Sequence, residues 1–148
     1  MDWVIEKAVE TGASRIAPLQ CERSVIKLHR SSDAERAHKR LLHWRAITQA
    51  ACEQCERTLL PFVAPIQPIA DYLTKPLEDD FNVALKLIFC IGDHPPLAKI
   101  ITPLPAQNVI LLIGPEGGFT PEEIALAMKA GFQAVSLGKR ILRTETAG

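Results

Sequence analysis

With 148 residues, 47% of them hydrophobic and 23% charged, the chain has the make-up of one globular domain with a real core. Its 17 basic and 17 acidic side chains cancel, which excludes polyanion binding through bulk charge and leaves nucleic acid only a local patch. No apolar run approaches the roughly 18 residues of a membrane span, and Met1-Asp2-Trp3-Val4-Ile5-Glu6-Lys7 lacks the basic-then-apolar order of a signal peptide, so the expectation is a cytoplasmic protein with no membrane partner.

Asp2 to Thr11 sets Val4, Ile5 and Ala8 on one side at helical spacing, and Gly12 supplies the stop. Ser14 to Leu19 reads as a strand, and Glu22 to Leu28 as a loop passing into extended chain. A long helix is expected from Ser32 or Asp33 to about Arg57, because Leu41, Leu42, Trp44, Ile47, Ala50 and Ala51 recur every three or four residues. Between Glu22 and Arg45 seven cations (Arg23, Lys27, Arg30, Arg36, Lys39, Arg40, Arg45) meet three acids (Glu22, Asp33, Glu35), with His29, His38 and His43 among them. This is either a solvated helix face or a contact surface for phosphates. Thr58 to Pro68 is apolar but broken by prolines, an ordered connection rather than a central strand. Ile69 to Leu73 forms a short helix, and Glu78-Asp79-Asp80 a polar turn.

The pattern then alternates strand and helix. Strands are expected at Ala84 to Ile91, Asn108 to Ile113 and Phe132 to Leu137, with helices at Leu97 to Ile101 and Pro121 to Ala130, the latter stopped by Gly131. Such alternation implies an α/β fold, a mostly parallel sheet flanked by helices. Three strands thus end in polar or glycine loops, Gly92 to Pro96, Gly114 to Phe119 and Gly138 to Arg143, and in open α/β sheets the carboxyl ends of strands are where ligands bind. Six of the eight glycines lie at or after Gly114.

Two motifs carry chemistry. In the first, Leu111-Leu112-Ile113 enters Gly114-Pro115-Glu116-Gly117-Gly118-Phe119 and then Thr120-Pro121-Glu122-Glu123, where Thr120 is the N-cap, Pro121 the first helical residue and Glu123 the other half of a capping box. The Gly-Lys-Ser/Thr ending of a phosphate loop and the dinucleotide glycine pattern are both missing. Glu116 would repel a phosphate, so the loop suits a neutral or cationic ligand, or the glycines serve the turn alone. The second motif, Leu137-Gly138-Lys139-Arg140-Ile141-Leu142-Arg143-Thr144-Glu145-Thr146-Ala147, mixes apolar residues with three cations and one acid and reads as a buried, threaded segment. Cys52-Glu53-Gln54-Cys55 has metal or redox spacing but no second pair and no strand leading in. With Cys21 and Cys90 these read as ordinary thiols of a reducing compartment, and no metal is expected.

Together the two motifs resemble the ribosomal RNA small subunit methyltransferase E family, in the SPOUT class of knotted RNA methyltransferases. Glu6 to Gly12, Ile16, Pro18, Glu22-Arg23-Ser24, Trp44 and Gln54 through Arg57 to Pro61 agree with the same family. The resemblance implies a C-terminal trefoil knot and S-adenosyl-L-methionine as cofactor. It implies a cofactor site at Ile113, Gly114, Pro115, Glu116, Gly117, Gly118, Leu137, Gly138, Lys139, Arg140, Ile141, Leu142, Arg143 and Thr144, with the end of the Leu87-to-Ile91 strand as a third wall. The implied reaction is methylation of uridine N3 in 16S ribosomal RNA by a homodimer that takes the RNA or the small ribosomal subunit as partner. Loss of the N3 proton needs a base or a stabilised anion, so Arg23, Arg143 and Glu145 are the catalytic candidates, with Glu116 a second base and Arg140 a second cation. Arg143 and Glu145 could instead pair to fix the knot.

The family pattern also includes a PUA-like β-barrel before the helix at Asp2 and a final helix after the Thr-Glu-Thr-Ala motif. The chain is accordingly expected to be the SPOUT methyltransferase domain alone, residues 1–148. A non-catalytic RNA-binding module of the same fold is the alternative.

Overall fold

The computed structural model describes residues 1–24, 32–75, 85–101, 108–138, 140 and 142–147, with the side chains of Ser32 and Glu145 excepted. The chain divides into two compact units, Met1–Gln20 with Ile26–Pro68 and Cys21–Val25 with Ile69–Gly148. The expected turn at Glu78-Asp79-Asp80, the extended chain from Val25 to Leu28, His29, Lys139 and Ile141 lie outside the described residues.

In the first unit α1 (Asp2–Glu10) packs on α2 (Ser32–Gln54). Ile5 and Val9 of α1 are fully buried with Leu41, Trp44, Ala51 and Cys52 of α2, each large side chain contributing about 1.5–3 kcal/mol by leaving water. The α1 stop is a Schellman turn: Gly12 has φ of 96°, the Ala13 N–H bonds the Ala8 carbonyl and the Gly12 N–H that of Val9. Arg57 adds to it, donating from Nη1 to the carbonyls of Val9 (2.7 Å) and Ala13 (2.9 Å). α2 ends at Gln54, short of Arg57, because Glu56 turns into the left-handed region at φ 58°. On α2, Lys39 pairs with Glu35 and Arg45 donates to the Val63 carbonyl.

The expected strand at Ser14 to Leu19 is two strands, β1 (Arg15–Ile16) and β2 (Leu19–Gln20). Pro18 sits between them and has no N–H to donate; its carbonyl instead accepts from the Gln67 N–H. The proline-broken stretch after α2 supplies their parallel partners, β3 (Phe62–Val63) on β1 and β4 (Gln67–Pro68) on β2. The connection therefore carries short strands that its prolines concealed.

The second unit holds α3 (Ile69–Thr74), β5 (Leu85–Phe89), α4 (Leu97–Ile100), β6 (Val109–Leu112), α5 (Pro121–Lys129), β7 (Gln133–Val135) and α6 (Thr144–Ala147). β5, β6 and β7 form a parallel sheet in the order β6-β5-β7, with Leu87 opposite both Leu111 and Gln133. Leu87, Ile88, Leu112, Ala127, Phe132 and Val135 are buried, and α3 packs on α5. Because β5 lies between its two successors, the chain leaves it toward one edge and returns over it through α5 to the other. In α/β sheets such a reversal marks the carboxyl end of the strand as the place where ligands bind.

Candidate cofactor-binding site

All three strands of this sheet run the same way, so the segments after Phe89, Leu112 and Val135 emerge on one edge. Hydrogen bonds fasten them there. Ser136, directly after β7, takes three: its Oγ donates to the His94 carbonyl (3.0 Å), its N–H to the Pro95 carbonyl (3.0 Å), and its carbonyl accepts from the Leu97 N–H (3.0 Å). The Cys90 N–H adds a bond to the Val135 carbonyl. At the start of α6 the Thr144 hydroxyl donates to the Gly114 carbonyl, 3.0 Å away.

The loop after β6 is kept bare by its neighbours. A Cβ on Gly114 would lie 3.2 Å from the Phe119 ring, and one on Gly117 would lie 3.0 Å from Cβ of Arg23. Arg23 covers this loop, donating from Nη1 to the carbonyls of Gly117 (2.9 Å) and, more weakly, Phe119 (3.5 Å). The following helix starts with the capping box read from the sequence: the Thr120 hydroxyl accepts from the Glu123 N–H and the Glu123 carboxylate from the Thr120 N–H. The second oxygen of Glu123 accepts from the Glu22 N–H at 2.8 Å, which sets the turn that carries Arg23. Glu122 is held below the usual carboxylate range, first by its own backbone N–H, then by the Thr120 hydroxyl, with Arg23 adding a smaller attraction. Burial, with Glu123 second, pushes the neighbouring Cys21 thiol up to about 12.

This donor set does not suit a phosphate. Side chains of the capping box already occupy donors at the start of α5, and Glu116, Glu122 and Glu123 make the surroundings acidic. A neutral ring against bare main chain, with a positive group near Glu116, fits both the sterics and the charge. S-adenosylmethionine is such a molecule.

Of the sequence candidates, Ile113, Gly114, Pro115, Glu116, Gly117 and Gly118 form one continuous loop, with Glu116 and Gly117 exposed. Arg23 is brought onto this loop, and Thr144 is joined to it at Gly114. Leu137, Gly138, Arg140, Leu142 and Arg143 follow β7 and are exposed, where the sequence pointed to burial. Thr144 ties this stretch to the loop after β6. Arg143 ends against α6, its carbonyl accepting from the N–H groups of Thr146 and Ala147; no local pattern announces this short helix. Lys139, Ile141 and the side chain of Glu145 lie outside the described residues. Sequence reasoning missed Ser136 and the second role of Glu123, because their partners lie about 40 and 100 residues away in the chain. Among the described residues no three His, Cys, Asp or Glu side chains converge as metal ligands. Cys21, Cys52, Cys55 and Cys90 are free thiols, the first two buried.

The profile of the RNA methyltransferase domain matches residues 1–148 in full. The chain belongs to this family. Relatives in it include Ribosomal RNA small subunit methyltransferase E of Mesomycoplasma hyopneumoniae, 40% identical over 146 residues that cover 99% of this chain and 59% of that protein. The Bacillus subtilis protein of the same name is 34% identical over 149 residues, covering 99% and 57%. A crystal structure of Ribosomal RNA small subunit methyltransferase E from Neisseria gonorrhoeae bound to S-adenosyl methionine matches at a TM-score of 0.83 and 41% identity, covering 99% of this chain and 56% of that one. A Legionella pneumophila structure with bound S-adenosyl methionine matches at 0.82 and 37%, with 99% and 56% covered. The chain thus spans a little over half the length of these relatives. The mixed α/β fold with parallel strands is shared with these structures.

Proposed function

We propose that the chain is the catalytic domain of an S-adenosylmethionine-dependent methyltransferase acting on N3 of a uridine in 16S ribosomal RNA. The match along the whole chain to a cofactor-bound methyltransferase E at 41% identity carries this reading. A bare loop at the carboxyl edge of a parallel sheet, lined for a neutral or cationic ligand, supports it independently. The proposal includes the SPOUT-class trefoil knot at the C-terminal end, a homodimer and a cytoplasmic location, where its ribosomal substrate is found. No helix among the described residues is long and apolar enough to cross a membrane.

When bound, S-adenosylmethionine supplies an electrophilic methyl group on a sulfonium centre. The residues from Ile113 to Gly118 would hold it on one side and the stretch from Leu137 to Thr144 on the other. Most of the acceleration then comes from holding the methyl and N3 in line. Glu145 accepts the N3 proton and Arg143 stabilises the resulting imide anion. Arg23 holds the loop through Gly117 and Phe119. The target base has to leave its stack to reach the site.

The test is titration of S-adenosylmethionine into the chain, followed by transfer of labelled methyl to small ribosomal subunits. Cofactor binding, with Glu145→Gln slowing transfer by about a hundredfold or more, is expected. No binding refutes the reading. RNA affinity without any methyl transfer favours the non-catalytic module instead.

A further inference from the structure

Two hydroxyl groups bound the C-terminal stretch, and each gives its one proton to a main-chain carbonyl of another segment. The Ser136 side chain is buried, and its Oγ is spent on the His94 carbonyl, while its own main chain holds Pro95 and Leu97. This binds the segment after β5 to the end of β7. The Thr144 hydroxyl is spent on the Gly114 carbonyl, and this binds the start of α6 to the segment after β6. Beyond the strand ladder and the main-chain bond from Cys90 to Val135, three chain segments are thereby linked in series, and Ser136 and Thr144 are joints between them.

We propose that Ser136 and Thr144 are positioning residues that hold the three segments at the carboxyl edge of the sheet as one cofactor pocket. Thr144 on this account acts through Gly114 and not by direct contact with the cofactor. The inference rests on the methyltransferase reading above. Neither hydroxyl carries charge or takes part in proton transfer, so each sets the affinity for S-adenosylmethionine without changing what the site can do once it is full.

The experiment is calorimetric titration of S-adenosylmethionine into the 148-residue chain and its variants, with amide hydrogen exchange of each ligand-free chain as the second readout. Removal of one neutral hydrogen bond is expected to weaken binding about fivefold for Ser136→Ala or Thr144→Val and about 25-fold for both together. Thr144→Ser keeps the hydroxyl and is expected to bind within about twofold of the original chain. Thr144→Val should also speed exchange of the amides at the start of α6 before any ligand is added. Thr144 is only half-buried, so this pair of variants keeps the test open if Ser136→Ala does not fold. If the original chain binds and Thr144→Val binds equally well, the inference is overturned and the methyltransferase reading stands. Equal losses in Thr144→Val and Thr144→Ser also overturn it, because the hydroxyl would then not be the cause. Absence of binding by the original chain overturns both.

Discussion

Replacing Glu123 by Gln changes almost no volume and tests the joint that carries Arg23. Both carboxylate oxygens accept main-chain N–H groups, Oε1 from Glu22 at 2.8 Å and Oε2 from Thr120 at 2.9 Å, and the side chain is 8% exposed. Gln keeps one acceptor and turns an NH2 group toward the other donor. Loss of one hydrogen bond to a charged group costs about 1.5–3 kcal/mol, and loss of negative charge at the start of α5 about 0.3–1 kcal/mol more. The expected total is about 2–4 kcal/mol, which for a chain of this size lowers Tm by about 5–15 °C. Thermal and urea unfolding followed by circular dichroism read it directly. Glu122→Gln, at the same helix end but exposed, is the control and should move Tm by only about 1 °C. A Glu123→Gln chain melting within about 1 °C of the original would refute the reasoning, since two buried acceptors would then be worth no more than one.

Two further outcomes follow from the same structure. Arg57→Met keeps the aliphatic stem but abandons the carbonyls of Val9 and Ala13; it should cost about 1.5–3 kcal/mol in urea unfolding, against none if the guanidinium only decorates the surface. Burial raises the Cys21 thiol to about 12 from an ordinary 9.0. The unfolded chain therefore gives up this proton first, so stability is intact below pH 9 and falls as pH rises toward 12, by up to about 1.4 kcal/mol per pH unit. Cys21→Ala should remove that part of the slope in unfolding measured from pH 8 to 11.

Helices α1 to α5 and the three longer strands were legible because each rests on local signals. Val4, Ile5 and Ala8, then Leu41 and Trp44, repeat at helical spacing, although it is Ile5 and Val9 that α1 buries, and Thr120 with Glu123 is a cap written in four residues. The short strands β1 to β4 were not, because two-residue strands have no periodicity and their partners come from a proline-rich stretch. The bare loop from Gly114 to Gly118 was legible as a ligand site from its glycines and its place after a strand. That Phe119 and Arg23 press against it was not, since Arg23 lies over 90 residues upstream of Gly117. The exposure of Leu137, Arg140 and Leu142 ran against an expectation drawn from apolar residues mixed with cations that want partners, since composition reports a preference for burial and not its outcome.

The strictly parallel ladders have a consequence for how the molecule forms. Parallel neighbours cannot be joined by a tight turn, so Arg15 waits for Phe62, Leu19 for Gln67 and Leu87 for Gln133, each roughly 45–50 residues further along. Among the described strands β5 and β6 meet sooner. The chain must pay the entropy of closing these long loops before the pairings return anything, which places the docking of β7, and with it Ser136 and Thr144, late in folding. A ligand held by those segments then has nothing to grip in the transition state. Its stabilisation would appear as slower unfolding, and the rate of folding would be left as it was.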